Sequence, residues 1–188
     1  MRKSVPLMAV LVLACLVVTT AAQQQPPAPR PARGMSEEIL GAWNDIGRKI
    51  IAMAEDFPEE KYGFKPTPEV RSFAQLMQHV AAVNYFFTNA AVGREVEPAV
   101  DDPPAGKYRT KAEIVAFVKK SFADGADAIR QKGNAGMAAA VKHPFANQMA
   151  SLQSICFDMI EHSGEHYGNL VVYYRLNGMV PPESRPRR

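Results

Sequence analysis

Apolar residues recur every three or four positions through most of this 188-residue chain, and this spacing constrains the fold more than any other feature of the sequence. It places the apolar side chains on one face of an α-helix. The first segment contains the apolar series Ile39, Trp43, Ile46, Ile50, Met53 and Phe57. No segment shows the strict alternation of apolar and polar residues that is typical of a half-buried strand. The sequence therefore predicts an all-α protein.

Helix-capping residues divide the periodic segments. We place the start of the first helix at Ser36, because two glutamates follow it and acidic side chains are favoured in a first turn. Ser72 with Gln75, and Thr110 with Glu113, have the spacing of a capping box, in which each side chain accepts a hydrogen bond from the other residue's backbone N–H. These pairs predict the starts of the second and third helices.

Helix-breaking residues predict where the helices end. Pro58 ends the first, Gly93 the second, and Asn177 with Gly178 the last. The stretch 131–148 has no clear period, and we predict it to be irregular. Four helices of about 20 residues with long connections favour a four-helix bundle, a fold that builds metal and ligand sites from inward-facing side chains.

The N-terminal residues have the layout of a secretory signal peptide: two basic residues, an apolar run and small residues before Gln23. The apolar run spans residues 5–18, fewer than the roughly 20 residues that a membrane-spanning helix needs. We expect a signal peptide at 1–22, a disordered Pro/Gln-rich linker at 23–35 and the bundle domain at 36–184. The protein would then be exported, to the periplasm or as a secreted protein, without stable membrane insertion. A retained N-terminal anchor and lipid attachment at Cys15 remain alternatives.

Charge argues against a nucleic-acid-binding protein, and cysteine content argues against a domain stabilised by an internal disulfide. The whole chain has a formal charge of +3, but residues 34–182 contain 15 Lys and Arg against 18 Asp and Glu, a net charge of −3. The domain therefore lacks the basic surface of a nucleic-acid-binding protein, and we expect no nucleic-acid partner. Loss of the signal peptide would leave Cys156 as the single cysteine, so no intramolecular disulfide is expected. Its apolar neighbours predict a buried side chain rather than a reactive thiol.

Two of the four histidines lie in the sequence EHSGEHYGNL, which runs from Glu161 to Leu170. Each residue of an α-helix turns about 100°, so His162 and His166 lie about 40° apart on one face, where both imidazoles can reach one ion. His79 lies at helical spacing among the apolar residues of the second helix and is expected to face the bundle interior. It would supply a third nitrogen ligand. An acid/base pair, a polar stripe and a hydrogen-bonded core histidine are the alternative interpretations.

Glu165 is the better candidate for a catalytic base of the two glutamates in this segment. It lies about 60° from His162 around the helix, whereas Glu161 lies about 100° away. A solvated surface carboxylate is the alternative. His143, in a loop, is interpreted as structural. Four further side chains are candidates for orienting ligands or substrate: Gln75, Asp158, Asn169 and Tyr173.

The letters HSGEH also match the H-x-x-E-H pattern of inverted zinc peptidases, in which two histidines bind zinc and the glutamate activates water. Such enzymes need a third ligand well downstream. Only 22 residues follow His166, and they offer no further helix to carry one. The peptidase interpretation is therefore disfavoured.

Two segments carry a resemblance to a known family. The sequence MIEHSGEHYGNLVVYYRLNGMVPPES resembles the last helix of the DinB-like (DNA-damage-inducible B) superfamily, and FKPTPEVRSFAQLMQHVA is similar to its loop and second helix. The resemblance implies a bundle of four helices running up, down, down and up. It also implies a divalent metal, with zinc or nickel favoured, bound by His79, His162 and His166. The family name implies no DNA binding.

The resemblance leaves the activity open. Some relatives are thiol-dependent transferases or isomerases, so a metalloenzyme of this kind could be a hydrolase or a thiol S-transferase acting on an unknown small molecule. The alternatives are a bundle that binds metal or a small molecule without catalysis, and a structural domain that acts through its exposed faces. A homodimer is expected only by analogy with other bundles.

Overall fold

The structure, a computed structural model, describes residues 33–94 and 102–186. The expected signal peptide and the expected linker up to residue 32 lie outside the described residues. Four long helices dominate the fold: α1 (Met35–Asp56), α2 (Phe73–Val92), α3 (Lys111–Met137) and α4 (Leu152–Leu176). Within the described ranges, none of the helices has the length and apolar character needed to span a membrane.

Hydrogen bonds confirm both predicted capping boxes. Ser72 Oγ accepts from the Gln75 backbone N–H at 3.2 Å, and Gln75 Oε1 accepts from the Ser72 N–H at 2.8 Å. Thr110 and Glu113 make the same reciprocal pair at the start of α3, at 3.2 and 3.0 Å. Gly93 ends α2 with a φ of 71°, a conformation that glycine adopts without steric cost.

The predicted start of the first helix is displaced, because Gly34, rather than Ser36, is the N-cap of α1. Ser36 is buried inside the first turn, where its backbone N–H and its hydroxyl both donate to Asn134 Oδ1 at 2.8 Å. This serine therefore connects α1 to the far end of α3. Such a contact spans 98 residues and leaves no local pattern in the sequence.

The prediction of an irregular stretch at 131–148 was wrong in two respects. Helix α3 continues to Met137 past a non-helical Gly133 with a φ of 55°, and an antiparallel hairpin follows, formed by β1 (Ala140–Lys142) and β2 (Met149–Ser151). Each strand has only three residues, too few for alternation to appear in the sequence. His143 stabilises the connecting turn, because its Nδ1 accepts from two backbone N–H groups at 3.1 and 3.0 Å.

Contacts at the helix ends define the direction of each helix. Ser36, at the start of α1, contacts the last turns of α3, whereas Lys111, at the start of α3, donates to the Phe57 carbonyl just after α1 at 2.8 Å. The two helices are therefore antiparallel. Phe73, at the start of α2, packs against Tyr173 near the end of α4, so this pair is antiparallel as well.

The relative direction of α1 and α4 follows from a contact near their ends. Near the C-terminal end of both helices, the Tyr174 hydroxyl donates to the Met53 carbonyl at 2.8 Å, so α1 and α4 are parallel. The four helices therefore run up, down, down and up. Phe57, Phe73 and Tyr174 pack together at this end, and the Phe57 and Phe73 rings stack at a centroid distance of 3.9 Å.

Two glycines allow α1 and α3 to approach closely. The fully buried Trp43 lies against Gly125 and donates through Nε1 to the Phe122 carbonyl at 2.9 Å. The Phe122 ring in turn lies against Gly47. A Cβ atom would come within 2.8 Å of the Trp43 ring at Gly125, and within 2.7 Å of the Phe122 ring at Gly47. Any larger residue at these positions must displace an aromatic ring.

We expect Gly47→Ala and Gly125→Ala each to lower the free energy of unfolding by about 1–3 kcal/mol, since overpacking a close helix contact forces a ring or the backbone to move. Chemical denaturation measures the effect. Gly41→Ala is the matched control, because Gly41 also lies within α1 and a Cβ there would meet only the Arg33 side chain at 3.7 Å. The control should be neutral or stabilising by up to about 1 kcal/mol. Equal effects at Gly41 and Gly47 would contradict the packing described here.

Candidate metal centre

The antiparallel packing of α2 against α4 places three histidines together. His162 Nε2 lies 3.3 Å from His79 Nε2 and 3.0 Å from His166 Nε2. One nitrogen from each ring lies within 4.8 Å of the other two. His79 is buried and the other two are half-buried. The structure thus brings together the three histidines that the sequence nominated as ligands.

The donor set suits a divalent cation. Nitrogen ligands about 2.0–2.1 Å from one tetrahedral zinc ion lie about 3.3 Å from each other, close to the separations observed here. Three Nε2 atoms that face one point cannot all be satisfied by one another, because a neutral imidazole nitrogen either donates or accepts. His162 Nδ1 is buried and has no hydrogen-bond partner within the described ranges, and a cation on Nε2 would leave that atom as it is. A shared cation would satisfy all three Nε2 lone pairs at once.

A carboxylate lies beside Nδ1 of His79, and an amide lies beside Nδ1 of His166. Asp102 Oδ1 lies 3.5 Å from His79 Nδ1. The Arg71 guanidinium holds the same carboxylate through Nε and Nη2, at 3.1 and 3.0 Å. Asn169 Nδ2 lies 3.4 Å from His166 Nδ1. A carboxylate beside Nδ1 favours the tautomer in which Nδ1 carries the proton, which leaves the Nε2 lone pair of His79 directed at the cluster.

Burial keeps two of these imidazoles neutral. Burial, together with positive charge on His166, His79 and Arg71, lowers the pKa of His162 to about 3. Burial also lowers the pKa of His166 to about 4, with His79 and Arg71 acting in the same direction. A neutral imidazole is the form that binds metals, so both rings have the required protonation state near pH 7.

A cavity of about 670 Å³ opens beside His166. Its polar lining includes Glu69, Arg71, Asp102 and Asn169. A small molecule in this cavity would therefore lie beside the histidine cluster. Sequence patterns did not indicate Glu69, Arg71 or Asp102 as site residues. The one feature of the sequence that could have pointed to Arg71 is its position directly before Ser72, the cap of the helix that carries His79.

The side chains that were expected to orient a ligand have different positions. Asn169 and Tyr173 line the cavity, and the Tyr173 hydroxyl donates to the Arg71 carbonyl. Gln75 completes the cap of α2 and borders a second cavity, of about 320 Å³, that shares Arg71 and Asp102 with the first. Asn169 and Tyr173 therefore lie beside the cluster, whereas Gln75 lies at a neighbouring cavity whose lining includes none of the three histidines.

Asp158 and Glu165 lie apart from the cluster. Asp158 pairs with His143 Nε2 at 3.3 Å, so the expectation that it orients a ligand at the cluster lacks a contact there. His143 thus contacts both the hairpin turn and α4, in agreement with its interpretation as a structural residue. Glu165 is exposed and is not among the residues that line the cavity. Its role as a base stays a prediction.

Cys156 is a buried free cysteine, as its apolar sequence neighbours predict. It lies about 120° around α4 from His162, so it faces a different part of the interior. Burial raises the pKa of its thiol to about 12. The thiol is therefore protonated at neutral pH, and a neutral buried thiol is a poor nucleophile and a poor metal ligand.

Comparisons with known proteins agree with this architecture. Solved structures similar to the chain include a DinB-like protein from Bacillus cereus ATCC 10987, with 16% identity, a TM-score of 0.65, and coverage of 78% of this chain and 95% of that one. A DinB-like protein from Bacillus subtilis, YjoA, has 17% identity, a TM-score of 0.59, and coverage of 80% and 99%. At these identities the likeness shows the fold alone.

A third similar structure is YfiT from Bacillus subtilis, described as a probable metal-dependent hydrolase with an unusual four-helix bundle topology. It has 13% identity, a TM-score of 0.61, and coverage of 80% of this chain and 93% of that one. No curated protein matches the chain. The family model for the DinB superfamily matches residues 42–170, which contain all four helices in part or whole and all three clustered histidines. The chain therefore belongs to the DinB superfamily.

Proposed function

We propose that this protein binds one divalent metal ion, zinc or nickel, through Nε2 of His79, His162 and His166, and that it hydrolyses a small molecule held in the adjacent cavity. The observation that carries the proposal is the convergence of three imidazole nitrogens beside an open cavity of about 670 Å³. A site with three nitrogen ligands leaves coordination positions for water or substrate, as catalytic zinc sites do.

The residues around the cluster have separate roles in this proposal. A bound divalent ion would lower the pKa of a water molecule or polarise a substrate oxygen. Asp102 holds His79 in the correct tautomer, and Arg71 fixes the position of that carboxylate. The Asn169 side-chain amide lies beside His166 Nδ1 from within the cavity lining. Its oxygen, rather than its NH2 group, has to face Nδ1 when Nε2 binds the metal, because only an acceptor there leaves the Nε2 lone pair free.

Proton transfer is assigned to Glu165, on the same turn of α4 as the two histidines. Glu69 is a second candidate, because its carboxylate lines the cavity. Hydrogen bonds from its own backbone and from the Thr67 side chain lower the pKa of Glu69, so it is ionised near neutral pH. An ionised carboxylate at the cavity is competent to accept a proton.

The hydrolase is favoured over the thiol S-transferase because an exported protein would meet few low-molecular-weight thiols, the co-substrates that such a transferase needs. The similarity to YfiT is a reason to test hydrolysis first, since that protein is described as a probable metal-dependent hydrolase. A bundle that binds metal without turnover is the alternative, and the exposed position of Glu165 favours it.

Elemental analysis of the protein, purified without a metal-affinity tag, tests the metal site. We expect about one equivalent of divalent metal in the wild type and none in the triple variant His79→Ala, His162→Ala, His166→Ala. The matched control is His143→Ala, which removes the histidine that the structure places outside the cluster and should leave the metal content unchanged. Negligible metal in the wild type after incubation with zinc, nickel and manganese would refute the proposed site.

Substrate screening then separates an enzyme from a binding protein. If the metal-loaded wild type hydrolyses an ester, amide or phosphoester library member, Glu165→Gln should retain the metal and lose most turnover, since it removes the proton acceptor. Glu69→Gln is the parallel variant. Loss of turnover in Glu69→Gln alone would assign the base to the cavity carboxylate, and no hydrolysis by any metal form would favour the binding protein.

The role of Asp102 gives a third prediction. Asp102→Asn removes the carboxylate beside His79 and should weaken metal affinity about 10- to 100-fold, the usual effect of losing such a supporting group. Competition with a metal-binding dye measures the affinity. Asp158→Asn is the matched control, because it removes a carboxylate from another Asp–His pair, outside the cluster. Equal losses in both variants would indicate a general effect on folding.

Export is also part of the proposal, with a signal peptide at 1–22 and a Pro/Gln-rich linker from residue 23 to the start of the bundle. Expression of the full chain in a Gram-negative host should yield a periplasmic or secreted protein whose N-terminus, read by mass spectrometry, is at or near Gln23. Retention of Met1 in the membrane fraction would indicate an N-terminal anchor. A lipid-modified Cys15 would indicate a lipoprotein.

A further inference from the structure

The guanidinium of Arg71 has hydrogen-bond donors beside the candidate metal centre that the described residues leave unused. Asp102 takes one side of the group, since Nε and Nη2 lie 3.1 and 3.0 Å from its two carboxylate oxygens. A guanidinium carries five N–H groups. Within the described ranges, the two on Nη1 and the second one on Nη2 have no partner. Nη1 and Nη2 therefore form an end-on fork, a geometry that matches a carboxylate.

The position of this fork is fixed next to the histidines. The Tyr173 hydroxyl donates to the Arg71 carbonyl, and the next residue, Ser72, caps α2. The Arg71 side chain is still 37% exposed and lines the cavity of about 670 Å³ together with His166. Its positive charge contributes to the lowered pKa of His162 and of His166, so the guanidinium lies close to the cluster. A ligand group bound to the fork would keep the rest of its molecule beside the histidines.

Apolar side chains form another part of the cavity lining: Pro66, Val70, Leu76 and Val172. Val70 is 40% exposed and Val172 is 50% exposed. Exposed apolar side chains around a cavity that also has a few polar groups are typical of a small-molecule site. The lining therefore suits a molecule with an apolar part next to a charged part.

The charges of the lining favour an anion once the metal is bound. Glu69, Arg71 and Asp102 are the charged side chains in the lining, with a formal charge of −1, and a divalent ion on neutral histidines would change this to +1. Glu69 is already engaged within its loop, because its carboxylate accepts hydrogen bonds from its own backbone and from Thr67. The metal-loaded site would therefore attract a carboxylate and repel an ammonium group.

We propose that the substrate of this site is a small molecule with a carboxylate and an apolar part. The carboxylate binds the end-on fork of Arg71, the apolar part lies against Val70 and Val172, and a separate scissile bond lies at the metal centre. Arg71 then determines specificity in addition to holding Asp102. This inference rests on the proposed hydrolase function, because it names the class of compound that the enzyme would cleave.

Binding of hexanoate and of its uncharged analogue hexanamide tests the fork. Methyl NMR shifts of Val70 and Val172 report occupancy of the cavity. The zinc-loaded wild type should bind hexanoate about tenfold or more tightly than hexanamide, the usual gain from a hydrogen bond between charged groups. Arg71→Gln should remove this difference, and Arg71→Lys, which keeps the charge but not the fork, should restore only part of it. Arg48→Gln is the matched control, because Arg48 is an ion-paired arginine outside the cavity lining.

Two chromogenic esters of the same acyl length test whether the fork selects substrates. The 4-nitrophenyl monoester of adipate ends in a carboxylate where 4-nitrophenyl hexanoate ends in a methyl group. In both, water adds to the acyl carbon, the acyl C–O bond breaks and 4-nitrophenol leaves. The wild type should prefer the adipate ester through a lower KM, and Arg71→Gln should reduce the preference about tenfold. Metal loss would lower both rates and leave their ratio unchanged, so the ratio separates recognition from metal binding.

The outcomes distinguish this inference from the proposed function. Hexanoate binding that requires zinc and is insensitive to Arg71→Gln would place the carboxylate on the metal and overturn the inference, while the metal centre would stand. Absence of hexanoate binding, or binding that leaves the Val70 and Val172 shifts unchanged, would also overturn it. Hexanoate binding that depends on Arg71, without hydrolysis of either ester, would support the carboxylate site and refute the hydrolase.

Discussion

The register of α2 against α4 is the constraint on which the candidate site depends. Phe57, Phe73 and Tyr174 pack at one end of the bundle, and the Tyr174 hydroxyl binds the Met53 carbonyl of α1. Because α2 begins at this aromatic cluster and α4 ends in it, the cluster fixes the position of α2 along the axis of α4. His79, six residues after Phe73, comes opposite the histidines of α4. A shift of one helical turn, about 5.4 Å, would separate nitrogens that now lie 3.0 and 3.3 Å apart.

Burying the histidine cluster lowers the free energy of unfolding, and packing of the apolar core does not explain why the cluster is there. Buried polar groups without hydrogen-bond partners destabilise a protein by about 1–3 kcal/mol each, and His162 Nδ1 is such a group within the described residues. Burial also holds His162 and His166 in the neutral form, with pKa values of about 3 and 4. Apolar side chains of similar volume would fill the same space at lower cost. A cluster that is dehydrated, neutral and backed by a carboxylate is instead suited to a cation.

Local patterns in the sequence predict the parts of the fold that local physics determines. Helical spacing places His162 with His166 and turns His79 inward, and the reciprocal side chains of Ser72 and Thr110 mark two helix starts. The hairpin and the contact of Ser36 with Asn134 were missed, because three-residue strands have no period and a contact across 98 residues leaves no local pattern. The same limit applies to the site. Arg71 and Asp102 are 31 residues apart, and only folding of the chain brings that carboxylate to His79.

Helix α4 departs in part from the usual arrangement of a bundle helix, in which apolar residues face the core and polar residues face water. Part of its inward side carries two histidines, whereas its outward side carries exposed Phe157, Val172 and two glycines. Stability of an isolated bundle would favour neither feature, since the first buries polar nitrogens and the second exposes apolar side chains and flexible backbone. The proposed cation explains the inward histidines, and the cavity beside them explains part of the outward side, because exposed Val172 lines that cavity.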